Sequence, residues 1–312
     1  MNTTDSAKVS DANAGANNVI HIPHNPTLAG LATLTRNVAY KTGADNLVMD
    51  IISPQSTGDD DDRRYPTVAI RARQRLDHAA SRLRDSAALG FGPRRLCGGY
   101  GESSRCLERP PHMFPAYLED AKQPSAISGQ TRVNGTWTPT VLGIWGHVVR
   151  AATRRCWVGL TADDPRYEDG TNADESDAVK YVVSCFPPTD MLEAVDAFDD
   201  ETNPFRLYYF GPFAAVVGAT HETGINAEVR QRAADMSPTC RCGMTNSIRR
   251  CSCCTVPPTP WSPIINPSRC ATDWSSTAVD AQLVLVDGAE HEYDFWSQQS
   301  STVIFDFIRE RS

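Results

Sequence analysis

Most hydrophobic residues of the chain lie in short runs with polar residues on either side, a pattern typical of strands. Strands that are apolar throughout are typical of a parallel sheet covered on both faces. The segment 42–46 is rich in turn-forming residues and joins two of the runs, so an antiparallel hairpin is predicted there. The runs that predict strands are 37–40, 47–52, 67–70, 141–147, 178–185 and 282–286.

Two further segments, 228–235 and 301–311, have the composition or spacing of helices. Because strands alternate with helices, the predicted fold class is α/β, with a mostly parallel central sheet and helices on both faces. Residues 1–30 form a polar lead-in, and 31–312 form the folded domain. Within that domain, 190–227 includes an apolar and aromatic run and is predicted to be a cap or lid.

Composition narrows the function classes. The 312 residues carry a net charge of −8, which disfavours binding to nucleic acid or to an anionic membrane. No apolar run is long enough to span a membrane. Residues 1–30 lack the apolar segment of a secretory leader, so a cytoplasmic location is expected. The ten cysteines are then expected as thiols or metal ligands. The sequence carries no signal for an oligomeric state.

Several segments together resemble the α/β-hydrolase fold, in particular bacterial carboxylesterases of the lipase and feruloyl-esterase-like type. The most specific is the C-terminal one, where a strand is followed by Gly-Ala-Glu-His and a helix. That is where this family carries its catalytic histidine, so the resemblance implies that His291 is a general base; the alternative is a surface loop histidine. The resembling segments are 37–52, 65–70, 112–121, 143–147, 159–190 and 280–311.

The resemblance implies an α/β-hydrolase domain over 31–312 that hydrolyses small-molecule carboxylic esters. In this family a serine attacks the ester carbonyl and forms an acyl-enzyme, with no cofactor and no metal. The serine lies on a G-x-S-x-G elbow between a strand and a helix, an oxyanion loop follows an earlier strand, and an acid orients the histidine.

The sequence as written departs from this pattern at each of those three parts. The elbow begins with Gly146 and His147, but the nucleophile position is Val148. The triad-acid position falls near Thr259, which is not an acid. The positions that match the oxyanion donors are Val149, Arg71, Ala72 and Arg73.

Three windows regain the expected motifs when they are translated in a displaced frame. Beginning at Cys251, a shift of one base gives four leucines and then an aspartate whose codon straddles Pro258 and Thr259. The window after His147 gives Ser-Ala-Gly-Gly, and the window from Arg71 gives His-Gly-Ser-Gly. Cys and Ser codons shifted this way acquire a central T and therefore encode apolar residues.

We interpret the chain as a compensated-frameshift translation of an esterase gene. Only four of its 30 basic residues are lysines, which is typical of a GC-rich coding sequence. The displaced windows predict that the sheet is disrupted at 71–111, 124–140 and 239–278. The same interpretation predicts that this chain, which lacks the nucleophile, the oxyanion loop and the acid, is inactive.

Two alternatives remain open. The first is a non-catalytic pseudoenzyme or pseudogene product. The second is a zinc-binding protein, because zinc takes four thiolate or imidazole ligands. The acidic stretch 161–202 is predicted to be solvated loop around one strand, and Ser184, Ser297 and Ser300 lie in no elbow and are not expected to be nucleophiles. The cysteines that could hold zinc are Cys240, Cys242, Cys251, Cys253, Cys254 and Cys270.

Overall fold

The structure is a computed structural model. In β4 and β7, and in most of β5, it describes the backbone and not the side chains. The described residues are 31–41, 47–55, 65–71, 97–101, 114–115, 118–119, 121–123, 137–147, 156–171, 173–188, 190–204, 206, 214, 216–220, 222–237, 250–255, 280–289 and 294–311.

The described strands form one eight-stranded sheet with the order β1-β2-β4-β3-β5-β6-β7-β8. The pairs β1–β2 and β2–β4 are antiparallel. The pairs β4–β3, β3–β5, β5–β6, β6–β7 and β7–β8 are parallel. The strands are β1 Ala32–Lys41, β2 Leu47–Pro54, β3 Tyr65–Arg71, β4 Cys97–Gly101, β5 Trp137–His147, β6 Tyr181–Cys185, β7 Arg250–Thr255 and β8 Asp280–Leu285.

The predicted hairpin is confirmed as the antiparallel pair β1 and β2. Buried and half-buried residues alternate along β2, because successive side chains of a strand point to opposite faces. The pairing register shifts between Thr35 and Val38. Asn37, at this irregularity, has a φ of +55° and donates its backbone N–H to Asp50 Oδ1 at 2.9 Å. That bond provides an acceptor for an amide next to the shift in register.

The sheet also contains strands in the segments where the sequence predicts disruption. β4 lies within 71–111, β5 begins before residue 140, and β7 lies within 239–278. The sequence analysis predicts no strand at either β4 or β7. A ladder is made of backbone hydrogen bonds, so neighbouring strands can continue a sheet through a segment whose side chains carry no strand pattern. Here β7 pairs with β6 on one side and β8 on the other.

Helices α1 (Met191–Asp199), α2 (Ala227–Met236) and α3 (Gln298–Arg311) pack on the sheet. The helical predictions at 228–235 and 301–311 are confirmed. Val182 of β6 belongs to a first core cluster with residues of α1 and α2. Its neighbours Tyr181 and Val183 belong to a second cluster with residues of α3. Since alternate residues of a strand face opposite sides, the two clusters lie on opposite faces of β6.

Helix α1 is absent from the sequence-based predictions, although its beginning has a recognisable signal. Asp190 caps it by accepting the N–H groups of Leu192 at 3.0 Å and Glu193 at 3.2 Å. Ser237, at the end of α2, accepts the N–H of Met191 at 2.8 Å and donates to the carbonyl of Ala233 at 2.9 Å. The beginning of α1 and the end of α2 are thus joined by one buried hydroxyl.

Gly143 of β5 lies directly opposite Tyr181 of β6. A Cβ at this position would lie 1.9 Å from Cε2, 2.0 Å from Cζ and 2.5 Å from Oη of Tyr181. The tyrosine is fully buried, and its ring packs edge-on against Phe307 at 6.1 Å. The ring therefore covers the space that a larger residue at position 143 would need.

We expect Gly143→Ala to lower the free energy of unfolding by about 1–3 kcal/mol, because the tyrosine must leave its packed position. Urea denaturation of the purified variant measures this change. In a Tyr181→Ala background the same substitution should cost much less, since the blocking ring is gone. An equal loss of unfolding free energy in the two backgrounds would show that the ring of Tyr181 is not what excludes a larger residue at position 143.

Candidate active site

The carboxyl ends of the parallel strands β3, β5, β6, β7 and β8 meet along one edge of the sheet. Arg71, the last residue of β3, is the Cα partner of Gly146. His147, the last residue of β5, is paired with Cys185 of β6. Cys185 is paired with Cys254 of β7, which is paired in turn with Val284 of β8. Ligands and catalytic residues of open α/β sheets lie beyond this edge, so we place the candidate active site there.

Each residue that the sequence predicts for the site is in, or follows, one of these strands. Arg71, Gly146 and His147 are strand residues whose backbone the structure describes. The remaining predicted positions lie outside the described residues. Ala72 and Arg73 follow β3, Val148 and Val149 follow β5, Thr259 follows β7 and His291 follows β8. Because these strands are parallel, the chain leaves each of them at the same edge of the sheet. The roles of the residues stay predictions.

The chain on either side of His291 is anchored in the second core cluster. Ala289 ends a turn in which its N–H donates to the carbonyl of Val286 at 3.4 Å, and Gly288 provides a φ of +75°. Both Ala289 and Phe295 are buried members of the cluster. Phe295 packs against Phe186, the residue that follows β6, with ring centroids 4.7 Å apart. The flanks of the predicted histidine position therefore lie close to the end of β6.

A reciprocal pair of serines fixes the beginning of α3. Ser297 Oγ accepts the N–H of Ser300 at 3.1 Å, and Ser300 Oγ accepts the N–H of Ser297 at 2.9 Å. Ser300 Oγ is also 2.7 Å from the carbonyl oxygen of Phe295, to which it donates. These serines cap a helix, and Ser184 is fully buried in β6. That none of the three is a nucleophile stays a prediction.

The helical segment 156–160 packs tightly in the first core cluster. Trp157 is 1% exposed and donates its indole N–H to the carbonyl of Met236. Its ring lies 5.4 Å from that of Phe114 and 5.7 Å from that of Tyr167. Aromatic pairs at such distances stabilise a core beyond their buried area. The sequence analysis does not predict this packing of Trp157.

A buried ion pair lies next to the helical segment 156–160. Lys122 is 2% exposed, and its Nζ lies 2.7 Å from Asp177 Oδ2 and 2.8 Å from the carbonyl oxygen of Thr161, to which it donates. Burial lowers the pKa of the Lys122 ammonium, and the carboxylates of Glu168 and Asp164 oppose that change.

The carboxylate of that pair is also held in place by the backbone. Asp177 Oδ1 accepts the N–H of Asp163 at 2.6 Å, and Asp163 Oδ1 accepts the N–H of Asp177 at 3.3 Å. The prediction that 161–202 is solvated loop around one strand is therefore wrong at Asp177. A buried lysine outside the acidic stretch attracts that carboxylate into the interior, which composition within the stretch cannot indicate.

Among the described residues, no cluster of three or more His, Cys, Asp or Glu side chains is arranged to hold a metal ion. Cys251, Cys253 and Cys254 lie in β7, where the structure describes the backbone. The other three cysteines of the zinc hypothesis lie outside the described residues, so that hypothesis stays a prediction. No helix in the described ranges has both the length and the apolar character needed to cross a membrane.

No protein-family model matches the sequence, and neither does any curated protein. The fold, in contrast, is similar to that of solved esterases. A truncated form of a carbohydrate esterase from gut microbiota superposes with a TM-score of 0.69 at 15% identity, covering 93% of this chain and 98% of that chain.

Two further solved structures are similar. For esterase B from Lactobacillus rhamnosis, inhibited by a C6-C4 SN3 compound, the TM-score is 0.64 at 8% identity, covering 89% of this chain and 87% of that one. For an acetyl ester-xyloside bifunctional hydrolase from Caldicellulosiruptor lactoaceticus, it is 0.62 at 12% identity, covering 86% and 89%. The resemblance to esterase-type α/β-hydrolases is thereby confirmed at the level of the fold, and the chain has an α/β-hydrolase-like fold.

Proposed function

We propose that the chain derives from a serine-type hydrolase of small-molecule carboxylic esters. The observation that carries this proposal is the common edge at the ends of β3, β5, β7 and β8. A serine-type ester hydrolase needs an oxyanion loop, a nucleophile, an acid and a base at one place. The predicted positions for these four parts follow those four strands in that order.

In the intact arrangement, a serine at position 148 attacks the ester carbonyl. His291 takes the serine proton and later donates it to the leaving alcohol, while an aspartate near position 259 holds the imidazole in the required tautomer. Backbone N–H groups after β3 and at position 149 stabilise the oxyanion. The chain order serine, aspartate, histidine is that of α/β-hydrolases.

The sequence as written lacks the first of these groups, since Val148 has no nucleophilic atom. We propose the compensated frameshift as the cause. The continuity of the sheet through β7 supports this proposal. Strand β7 pairs with both β6 and β8 although its sequence is Arg-Cys-Ser-Cys-Cys-Thr. The displaced translation gives leucines in the same place, as expected for a buried strand. A non-catalytic product is then the expected state of this chain, and ester hydrolysis is the activity of its intact form.

The substrate class that we propose is a short acyl ester. One similar structure is described as a carbohydrate esterase and another as an acetyl ester-xyloside bifunctional hydrolase. On the basis of these two descriptions, we propose acetyl esters of carbohydrates as the first natural substrates to test.

The decisive experiment uses the chain with its three windows restored to the displaced frame. We expect it to hydrolyse p-nitrophenyl acetate, and to lose this activity in a His291→Ala variant by about 10⁴-fold or more, because the serine then has no base. Circular dichroism of both proteins tests whether the fold is retained.

The nucleotide sequence provides an independent control. Insertions or deletions flanking each window, relative to an intact related gene, are the expected finding. A restored chain whose His291→Ala variant keeps its full rate would overturn the assignment of the base. A gene without those insertions or deletions would overturn the frameshift.

A further inference from the structure

Phe186, which directly follows β6, has a backbone conformation that bulky residues rarely adopt. Its φ is +56°, in the left-handed region where the Cβ crowds the backbone. Its side chain is fully buried. Such a conformation persists only where the surrounding packing determines it, and it is commonly found at functional sites. The contacts of the Phe186 ring therefore indicate what maintains it.

The ring of Phe186 packs against the ring of Phe295 at an interplanar angle of 67°. Phe295 is itself fully buried and packs edge-on against Trp296 at 5.0 Å. Its carbonyl accepts the Ser300 hydroxyl at 2.7 Å, which ties its backbone to the first turn of α3. The end of β6 is thus connected through two phenylalanine rings to the beginning of α3.

Phe295 belongs to the segment between β8 and α3, so its contact with Phe186 involves that segment. Ala289 anchors the N-terminal side of that segment in the second core cluster, and Phe295 anchors its C-terminal side. Phe186 belongs to the same cluster, and it follows Cys185, whose Cα partner is His147 at the end of β5. One aromatic contact therefore connects the β8–α3 segment to the strand next to the predicted nucleophile elbow.

We propose that Phe186 is a positioning residue of the candidate active site. Through its ring contact with Phe295, it holds the C-terminal flank of the β8–α3 segment, the segment that contains His291, against the carboxyl end of β6. The proposal rests on the proposed function for the role of His291. The positive φ of Phe186 and the buried contact with Phe295 together define the position of its ring.

Hydrogen–deuterium exchange of the peptide covering 286–297 tests the proposal on the full chain. We expect Phe186→Leu to increase exchange in this peptide by about tenfold, beyond any change caused by global unfolding. Phe198→Leu is the matched control, because Phe198 is also buried but lies in α1 within the first core cluster. It should lower the melting temperature and leave the 286–297 peptide unchanged.

Two further variants keep the test decisive if Phe186→Leu does not fold. Phe295→Leu removes the same contact from the other side and should give the same local increase in exchange. Phe186→Asn tolerates a positive φ but has no ring, and it should also increase exchange, which separates the ring contact from the backbone strain.

The histidine ring provides a spectroscopic readout that a purely structural residue would not affect. We expect the NMR signal of His291, identified with His291→Gln, to shift or broaden in Phe186→Leu and not in Phe198→Leu. Equal exchange at 286–297 in the two leucine variants, or an unchanged His291 signal, would overturn the proposal. No ester is added, so a failure of the proposed hydrolase function leaves this result interpretable by itself.

Discussion

The chain as written is expected to show no hydrolysis of p-nitrophenyl acetate above the rate of buffer. Removing a member of a catalytic triad lowers the rate by about 10⁴–10⁶-fold, and Val148 occupies the predicted nucleophile position. Val148→Ser alone should not restore turnover, because the predicted oxyanion positions 71–73 and the predicted acid position near Thr259 also lack the residues of the family motif. Steady-state assays on the two purified proteins measure this.

A serine-directed phosphonate provides the control for these assays. It should label the frame-restored chain at one serine and should label neither the chain as written nor its Val148→Ser variant, as mass spectrometry can show. Turnover by the chain as written that the phosphonate inhibits would contradict the prediction. Such a result would also place the nucleophile at a serine other than one following His147.

The largest effect on stability is expected at the ion pair between Lys122 and Asp177. Lys122→Met should lower the free energy of unfolding by about 3–5 kcal/mol, because it leaves the buried carboxylate without its cation. Asp177 is 4% exposed, so solvent offers little compensation. Chemical denaturation monitored by tryptophan fluorescence measures the change.

A double variant separates the charge from the packing. Lys122→Met with Asp177→Asn removes both charges and keeps an acceptor for the N–H of Asp163, so it should recover part of the loss. Lys41→Met is the matched control, because the Lys41–Asp169 pair has the same chemistry at 2.6 Å but is 19% and 17% exposed. Its cost should be about 1 kcal/mol or less. An equal loss of unfolding free energy in Lys122→Met and Lys41→Met would contradict the prediction that burial makes the Lys122–Asp177 pair the more important of the two.

The predicted site depended on different kinds of sequence information at its different parts. Gly146 and His147 end one apolar run, His291 follows another, and all three occur in short motifs, so a position at or beyond the end of a strand could be predicted for each. The nucleophile and acid positions could be predicted only by resemblance, since Val148 has no nucleophilic atom and Thr259 has no carboxyl group. The role of Phe186 had no sequence signal, because a positive φ at a phenylalanine depends on the residues packed around it.

The sequence by itself determined the strands whose apolar runs are continuous, the hairpin of β1 and β2, and the helices α2 and α3. These elements depend on local patterns, and apolar periodicity or turn residues within each segment are sufficient to indicate them. It also determined that the predicted nucleophile position has no nucleophilic atom, since residue 148 is a valine whatever the fold.

Only the tertiary structure decided the remaining features. β7 is a strand because β6 and β8 offer backbone partners on both sides, although Arg-Cys-Ser-Cys-Cys-Thr has no strand pattern. Asp177 is buried because Lys122, distant in sequence, meets it in the interior. Phe186 combines a positive φ with a buried ring that packs against Phe295. Each of these depends on a contact between residues far apart in the chain, and a local pattern carries no information about such a partner.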